Sequence, residues 1–435
     1  MYVVNNSFVI IDLIAGNIDE TITSQNGFII FISKLKFKYI ITLLYFSGPM
    51  RKVYMDYSAT TPVDPRVLET MKPYFLKKFG NSMSLHSWGT EAKEALEDSR
   101  EKVAGLMNAK PKDLIFTGSA TESDNMVLKG MVYANKNKGK HIIVSAIEHH
   151  CIIETAKWLE RQGVEVTYLP VDKYGVVDLN RLEKEMRKDT ILVSIMHANN
   201  EIGTVEPVEE IGKLCRERDV YFHTDAVQSY GKIPIDVKKM NIDLLTCNAH
   251  KVYGPKGVGA LYIREGIEIE PLLHGGGHEF GLRSSTVNIA GIVGFATIAE
   301  IQKKEMNSDA IKLTKFRDNL IKETLKIEDS HLNGHPTKRL PNNANFWFAF
   351  IEGESLIIHL DMNGVAASTG SACSSESLEP SHVLLAIGLK PEEAHGSLRL
   401  TLGKYNTKED VDYVLEILPE VVEKLRKISP FKRGW

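Results

Sequence analysis

The chain has 435 residues and a net charge of −3, which excludes a broad electrostatic attraction to nucleic acid or to an anionic membrane surface. A chain of this length can bury a large core and usually folds as two domains, or as one large domain with a smaller one attached. Its four cysteines form no C-x-x-C pair. That pattern argues against a metal site and a disulfide framework, and favours the cytoplasm.

The first 49 residues differ from the rest of the chain. An apolar, β-branched run at 28–46 is interrupted by Lys34, Lys36 and Lys38, which fits neither a membrane span nor a secretory signal. A regular domain pattern begins directly after Met50. We expect residues 1–49 to be an N-terminal extension that is either not translated or peripheral, with an amphipathic surface anchor as the alternative.

Strand and helix patterns alternate from residue 64 onward. Strands are predicted at 113–116, 141–145, 164–169, 190–196, 220–224, 244–247 and 259–263, and the main helices at 90–107, 121–133 and 208–217, with one more that ends at Arg161. This alternation predicts an α/β fold with a largely parallel sheet covered by helices on both faces. Ligands of such sheets bind at the carboxyl ends of the strands.

The pattern changes after Gly291. A helix through Met306 and an amphipathic helix at 309–326 precede strands at 345–352 and 398–402 and a last helix at 408–428. We predict a large domain of residues 63–307, and a smaller α+β domain formed by residues 50–62 and 308–435.

Chemically versatile residues follow several of the predicted strands. Ser119-Ala-Thr-Glu122 is either a helix cap or a phosphate-binding helix N-terminus. His149 is either a loop histidine or a ring-stacking and proton-transfer group. Asp225 is a helix cap or the counter-ion of a cationic nitrogen. Lys251 follows an apolar strand and, in a cleft, would suit Schiff-base chemistry.

The cysteines fall into two groups. Cys151, Cys215 and Cys247 have apolar neighbours and are expected to be buried core thiols. Cys373 lies among small polar residues at 368–377, a composition typical of an exposed loop. Its thiol is therefore either reactive or an incidental surface group.

Eight motifs in a fixed order resemble those of one enzyme family. They are D-Y-S-A-T-T-P (56–62), G-S-A-T-E-S-D-N (118–125), E-H-H (148–150), H-A-N-N-E-I-G (197–203), H-T-D-A-V-Q-S (223–229), A-H-K-V-Y-G-P-K-G (249–257), H-G-G-G-H-E (274–279) and S-T-G-S-A-C (368–373). The set resembles the cysteine desulfurases of the nitrogen-fixation and iron–sulfur-cluster group, which are class V, fold-type I pyridoxal-phosphate enzymes. The resemblance runs from about Met50 to the C-terminus.

The resemblance implies a fold, a cofactor and a reaction. The fold would be a mainly parallel seven-stranded sheet with helices on both faces and a smaller α+β domain. The cofactor would be pyridoxal 5′-phosphate. The reaction would convert L-cysteine to L-alanine and leave the sulfur as a persulfide on Cys373, from which it passes to an iron–sulfur scaffold or towards transfer RNA thiolation.

The resemblance also implies a role for each matching residue. Lys251 would hold the cofactor and remove a substrate proton, Cys373 would receive the sulfur, and His149 would stack on the ring and move protons. Phosphate binding is implied for Ala120, Thr121, His250 and Asn248, the last in place of the family's usual serine. Ring binding is implied for Asp225, Gln228 and Asn200, and substrate binding for Arg399, which would clamp the carboxylate, and again for Asn200. Thr286 would contact the neighbouring subunit's phosphate in a homodimer.

Three alternatives remain at this point. A selenocysteine lyase would use the same residues, whereas another class V aminotransferase would not need Cys373. A non-catalytic cofactor-binding scaffold would need neither Lys251 nor Cys373 as a reactive group.

Overall fold

The computed structural model describes residues 51–369 and 379–430 in full and, among the first fifty residues, the backbone of five strands. The chain divides into two compact units, Met1–Lys52 and Val53–Trp435. In the first unit, β1 (Tyr2–Val4) pairs antiparallel with β2 (Ser7–Val9). Strands β3 (Ser24–Gln25), β4 (Phe28–Leu35) and β5 (Lys38–Tyr45) form an antiparallel sheet. The expectation that residues 1–49 are untranslated or peripheral stays a prediction.

The second unit is built around one large sheet. It opens with β6 (Val53–Tyr54), α1 (Pro65–Met71), α2 (Pro73–Leu76) and α3 (Ser87–Gly105). The sheet strands are β7 (Leu114–Thr117), β8 (His141–Ser145), β9 (Glu165–Leu169), β10 (Thr190–Ser194), β11 (Tyr221–Asp225), β12 (Leu244–Asn248) and β13 (Gly259–Ile263). They lie in the order β7-β13-β12-β11-β10-β8-β9. Only β13 runs antiparallel to its neighbours, so the predicted mainly parallel, seven-stranded sheet is confirmed.

Helices cover both faces of this sheet. The connecting helices are α4 (Ala120–Ala134), α5 (His150–Glu160), α6 (Leu179–Glu185) and α7 (Val208–Glu217). Successive residues of a strand point to opposite faces: Ile143 packs in one core cluster with helix residues of α3 and α7, whereas Ile142 and Val144 pack in another with residues of α4 and α5. Burial on both faces explains why the inner strand β10, Thr-Ile-Leu-Val-Ser, is nearly a continuous apolar run.

The remainder of the unit contains a second, antiparallel sheet. Its elements are α8 (Ile289–Thr324), β14 (Ser330–Asn333), β15 (Asn343–Phe348), α9 (Gly353–Met362), β16 (Val365–Ala366), α10 (His382–Ala386), α11 (Pro391–His395), β17 (Ser397–Thr401) and α12 (Lys408–Ile428). The sheet order is β14-β15-β17, and β16 pairs in parallel with β6. Phe346, Leu398 and Leu418 belong to a core cluster of this region.

The two helices predicted on either side of residue 307 are one helix, α8, so that prediction was wrong. Asn307 and Ser308 are neither proline nor glycine, and a helix tolerates them at a small cost. The Ser308 hydroxyl donates to the Glu305 carbonyl oxygen at 2.8 Å, within the helix. Because α8 runs through the expected boundary, the division into domains of 63–307 and of 50–62 with 308–435 stays a prediction. No helix in the described part of the chain has the length and apolar character needed to cross a membrane.

Candidate active site

The carboxyl ends of β7, β8, β10, β11 and β12 open into one cavity of about 320 Å³. All but one of the predicted cofactor-binding residues line it, together with the predicted substrate arginine: Ala120, Thr121, His149, Asn200, Asp225, Gln228, Asn248, His250, Lys251 and Arg399. Thr286 is exposed and is not among the lining residues. Cys373 lies outside the described residues.

The helix N-terminus at one end of the cavity is both a cap and a candidate anion site. Ser119 Oγ accepts a hydrogen bond from the Glu122 N–H at 3.1 Å, while the N–H groups of the first turn, at Ala120 and Thr121, have no partner within a helix. Such groups bind phosphate. The Glu122 carboxylate pairs with Arg283 at 2.8 Å, which offsets a negative charge that would otherwise repel an anion.

Two further polar side chains of the cavity, Asn248 and His250, lie at the end of β12 and just after it. Asn248 ends β12; its Oδ1 is buried without a hydrogen-bond partner among the described residues. Turning the amide about its last bond would present its N–H₂ group to an anion instead. His250 Nδ1 lies 3.2 Å from Thr60 Oγ1, and burial, aided by the charge of Lys251, lowers the pKa of its imidazole to about 4. At neutral pH His250 is therefore uncharged.

A pair of buried carboxyl groups, Asp124 and Asp225, lines the cavity. Asp225, at the end of β11, accepts a hydrogen bond from the Val227 N–H at 2.8 Å, and burial raises its pKa to about 6. Asp124, in α4, is fully buried, and burial together with the charge of Asp225 raises its pKa well above the usual range. A cationic ring nitrogen placed against Asp225 would stabilise its ionised form.

His149 caps the start of α5 and its tautomer follows from its contacts. Its Nδ1 accepts a hydrogen bond from the Cys151 N–H at 3.2 Å, so the ring proton is on Nε2. Burial, followed by the charge of Lys251, lowers the pKa of His149 to about 4. The ring is thus neutral at pH 7 and can lie flat against an aromatic ligand.

The prediction that three cysteines are core thiols is confirmed for Cys215 and Cys247 and was wrong for Cys151. Cys151 is only partly buried and lines the cavity, where its Sγ donates to Asp124 Oδ2 at 3.1 Å. Its position at the first turn of α5 turns it towards the cavity, although its sequence neighbours are apolar.

Lys251 contributes an amino group to the lining of the cavity. Its Nζ donates to the carbonyl oxygens of Ser58 at 2.6 Å and Ala59 at 2.7 Å. The Ser58 carbonyl also accepts from Gln228 Nε2 at 3.0 Å, and Gln228 Oε1 accepts from Lys232 Nζ at 3.1 Å. The motif at 56–62 therefore contributes backbone acceptors around the lysine.

Arg399, on β17, is held on two sides. Its Nη2 donates to Asp56 Oδ1 at 2.9 Å and its Nη1 to the Asn200 carbonyl oxygen at 3.2 Å. Its Nε is buried without a partner among the described residues. A buried guanidinium with an unused donor fits a bidentate carboxylate ligand.

Sequence reasoning missed several residues of the site. Asp56 and Asp124 lie within the motifs, so their positions could have been noticed, but not their partners. Cys151 and Lys232 each follow a motif by one to three residues. His382 carried no signal; its Nε2 donates to the Glu148 carbonyl oxygen at 2.9 Å, and its ring lies 4.7 Å from that of His150.

The geometry of this cavity, an amine and a carboxyl group beside a helix N-terminus, is that of a cofactor enzyme. The chain belongs to the class V aminotransferase family, whose family model matches residues 53–414; this family depends on pyridoxal phosphate.

Within the family, its relatives are cysteine desulfurases. The chain is 55% identical to the cysteine desulfurase IscS of Dictyoglomus turgidum over 386 residues, which covers 88% of this chain and 98% of that protein. Among solved structures, a NifS-like protein is 42% identical with a TM-score of 0.82, and covers 86% of this chain and 100% of its own. SspA, solved in complex with cysteine, is 38% identical with a TM-score of 0.74, over 82% and 100%.

The residues present fit pyridoxal phosphate. The α4 N-terminus suits the phosphate, and the Asp225 carboxyl group suits a protonated ring nitrogen. Lys251 supplies the amine that can hold the cofactor. The unpartnered Asn248 Oδ1 and Arg399 Nε mark buried polar groups that a ligand would satisfy.

Proposed function

We propose that this protein is a cysteine desulfurase, which converts L-cysteine to L-alanine and transfers the sulfur to Cys373. The observation that carries the proposal is that an amine, Lys251, a carboxyl group for a ring nitrogen, Asp225, and a carboxylate clamp, Arg399, line one cavity. Relatives named cysteine desulfurase, and a structural relative solved with cysteine, support the choice of substrate.

Pyridoxal phosphate, when bound, supplies an electron sink for the bonds that break at the substrate. Ala120, Thr121, Asn248 and His250 would hold its phosphate. Asp225 would keep its ring nitrogen protonated, and His149, neutral at pH 7, would cover the ring.

Two residues would orient and deprotonate the amino acid. Arg399 would fix the substrate carboxylate, with Nε as a donor that has no partner among the described residues. Asp56 and the Asn200 carbonyl hold the guanidinium in place. Lys251 Nζ would take the α-proton. His149 carries its proton on Nε2, and would be the donor for a later proton transfer.

Cys373 would perform the sulfur transfer. Its thiolate attacks the substrate sulfur, and the S–S bond forms as the substrate's C–S bond breaks. The electron pair of that bond passes to carbon, which takes a proton and becomes the methyl group of alanine. The products are alanine and a persulfide on Cys373.

Turnover of L-cysteine with a thiol reductant tests this proposal. We expect the wild type to release equal amounts of alanine and sulfide. Cys373→Ala should bind the cofactor but release no sulfide, Lys251→Ala should release neither product, and Cys215→Ala, a buried cysteine outside the cavity, should behave as the wild type. Full sulfide release by Cys373→Ala would exclude the persulfide route.

Parallel assays separate the alternatives. Amino transfer to a keto acid without sulfide release would identify an aminotransferase. A rate with L-selenocysteine far above that with L-cysteine would identify a selenocysteine lyase.

We also propose that the protein is a homodimer in which Thr286 reaches the neighbouring cofactor phosphate. Thr286 is exposed and lies outside the cavity of its own chain. A run of large apolar side chains is also exposed, at 46% to 101% of their full areas: Leu68, Phe75, Leu76, Phe79, Met83, Leu85 and Trp88. Clusters of exposed apolar side chains mark protein–protein contacts. A second copy that covered this segment and brought Thr286 to the phosphate would satisfy both observations.

The homodimer proposal has its own test. Light scattering should give the mass of a dimer, and Leu85→Asp with Leu76→Asp should give a monomer that binds the cofactor less tightly. A monomeric wild type with full activity would exclude the homodimer.

We propose that the protein is located in the cytoplasm. We also propose that its sulfur passes to an iron–sulfur scaffold or is used in the thiolation of transfer RNA.

A further inference from the structure

Lys232 lies behind the candidate active site. It follows the H-T-D-A-V-Q-S motif by three residues and is partly buried. Its Nζ donates to Gln228 Oε1 at 3.1 Å. Within residues 51–369 and 379–430 it forms no ion pair with a carboxylate, and the charges that act on it most strongly are those of Lys251 and Arg399, both positive. Burying an ammonium group among like charges is unfavourable, so this arrangement calls for a reason.

Lys232 and the Ser58 carbonyl together determine which way the Gln228 amide points. An ammonium group can only donate, and the Ser58 carbonyl can only accept. Gln228 Oε1 must therefore face Lys232, and Nε2 must face Ser58, where the two atoms are 3.0 Å apart. Gln228 Oε1 is thus engaged by Lys232, and the second N–H of Nε2 is the amide group that a ligand could use.

The same hydrogen bonds connect Lys232 to Lys251. The Ser58 carbonyl that accepts from Gln228 also accepts from Lys251 Nζ at 2.6 Å. Lys251 lines both the main cavity and a smaller one of about 20 Å³, and Lys232 lines the smaller one. Lys251 is therefore common to the two cavities, whereas Lys232 lines only the smaller one.

We propose that Lys232 is a positioning residue, whose ammonium group fixes the Gln228 amide and disfavours a proton on the Lys251 nitrogen. The inference rests on the proposed function, since it assigns a task at the same site. A nearby positive charge opposes protonation of an amine. Other charged and titratable groups of the described residues line the two cavities with Lys251. Carboxylates favour a proton on Lys251, and the candidates are Asp124, Glu148, Glu201, Asp225 and Asp309. Cations oppose one, and the candidates are Arg399 and the histidines His149, His150, His250 and His382.

The effect of Lys251 on Lys232 also supports the proposal. Burial, followed by the positive charges of Lys251 and Arg399, lowers the pKa of Lys232 to about 7. Repulsion between two groups is mutual, so the Lys251 nitrogen is affected in the same sense. The repulsion that Lys232 exerts on a proton at the Lys251 nitrogen should be largest below pH 7, where Lys232 is charged.

The experiment is a pH titration of the visible absorption band of the cofactor-loaded enzyme, without substrate. In Lys232→Met the midpoint should lie higher than in the wild type by about half a pH unit or more, because a positive charge has been removed. Lys232→Arg should retain the wild-type midpoint within about half that shift. The exposed Lys239→Met is the matched control and should not change it.

The outcomes separate this proposal from the proposed function. An unchanged or lowered midpoint in Lys232→Met would overturn the role of Lys232, whatever the enzyme's activity. If Lys232→Met does not fold, Lys232→Gln is titrated with the same expectation. Steady-state kinetics gives a second test: the kcat of Lys232→Met for L-cysteine should fall several-fold with little change in KM, and a rise in KM alone would contradict the proposal. A wild type that titrates normally but forms no alanine would instead refute the desulfurase function.

Discussion

At the residue scale, Arg399 shows how a buried side chain can be held and still remain available. Asp56 and the Asn200 carbonyl occupy two of its nitrogens. These partners orient the guanidinium, and its Nε has no partner among the described residues. A lysine at this position could neutralise a carboxylate, but it has no planar pair of donors to match the two oxygens.

We therefore predict that Arg399→Lys raises the KM for L-cysteine by about tenfold to a hundredfold, since one charge-assisted hydrogen bond is lost. The kcat should change less, because no proton-transfer group is altered. Steady-state sulfide release measures both constants. Arg66→Lys, an exposed arginine that pairs with Glu305, is the control and should leave both unchanged. A KM for Arg399→Lys equal to that of the wild type would show that Arg399 does not bind the substrate.

At the element scale, the start of α4 serves both the fold and the ligand. The Ser119 hydroxyl satisfies one N–H of the first turn, and the groups beside it lie at the cavity. Thr407 caps α12 in the same way, by accepting from the Asp410 N–H at 3.3 Å, and does not line the cavity. The two helices therefore offer a matched pair of caps.

Removing either cap should reduce the free energy of unfolding by about 1 kcal/mol. Only the removal of the Ser119 cap should also change the affinity for the cofactor. We predict that Ser119→Ala weakens the binding of pyridoxal phosphate and that Thr407→Ala does not. Urea unfolding of the cofactor-free proteins gives the first quantity, and titration of cofactor absorbance gives the second. Equal cofactor affinities in the two variants would argue against a phosphate site at α4.

Much of the element pattern could be predicted from the sequence, for a physical reason. All seven strands of the large sheet could be predicted. Most of them are buried along their whole length and therefore form apolar runs, whereas β9 lies at the edge and is largely half-buried. The helices α10 and α11 were not, because five residues are too few to show helical periodicity. Residues directly after strands were identified as site candidates. Cys151 and Asp124 were not, since the direction in which a helix residue points depends on how the helix packs.

At the scale of the whole molecule, buried carboxyl groups make stability depend on pH. Glu206 is buried, with Oε2 accepting from the Val177 N–H at 3.1 Å and Oε1 without a partner in the described region. Burial raises its pKa to about 8 from the ordinary 4.5. Between these values the folded protein holds a proton that the unfolded chain has lost. The contribution of Glu206 to the free energy of unfolding therefore falls as pH rises through this window.

We predict that Glu206→Gln becomes more stable relative to the wild type as pH rises from 5 to 8, by on the order of 2 to 5 kcal/mol. The difference in the free energy of unfolding between the variant and the wild type is compared at pH 5 and pH 8, so that any cost of the new amide that does not depend on pH cancels. Urea unfolding of both proteins at both pH values measures this difference. Glu209→Gln, at an exposed position, should show no such trend, and a Glu206→Gln difference that does not depend on pH would contradict the prediction.

The contact between Asp56 and Arg399 joins residues that are 343 positions apart, and β6 likewise pairs with β16. A ribosome adding 5 to 20 residues per second needs roughly 20 to 70 seconds to synthesise the chain between them. After residue 251 has been added, the nascent chain contains Asp225 and Lys251 but still lacks the arginine that would orient a substrate. The enzyme can therefore acquire amino-acid binding only near the end of its synthesis, and a nascent chain stalled before residue 397 would lack it.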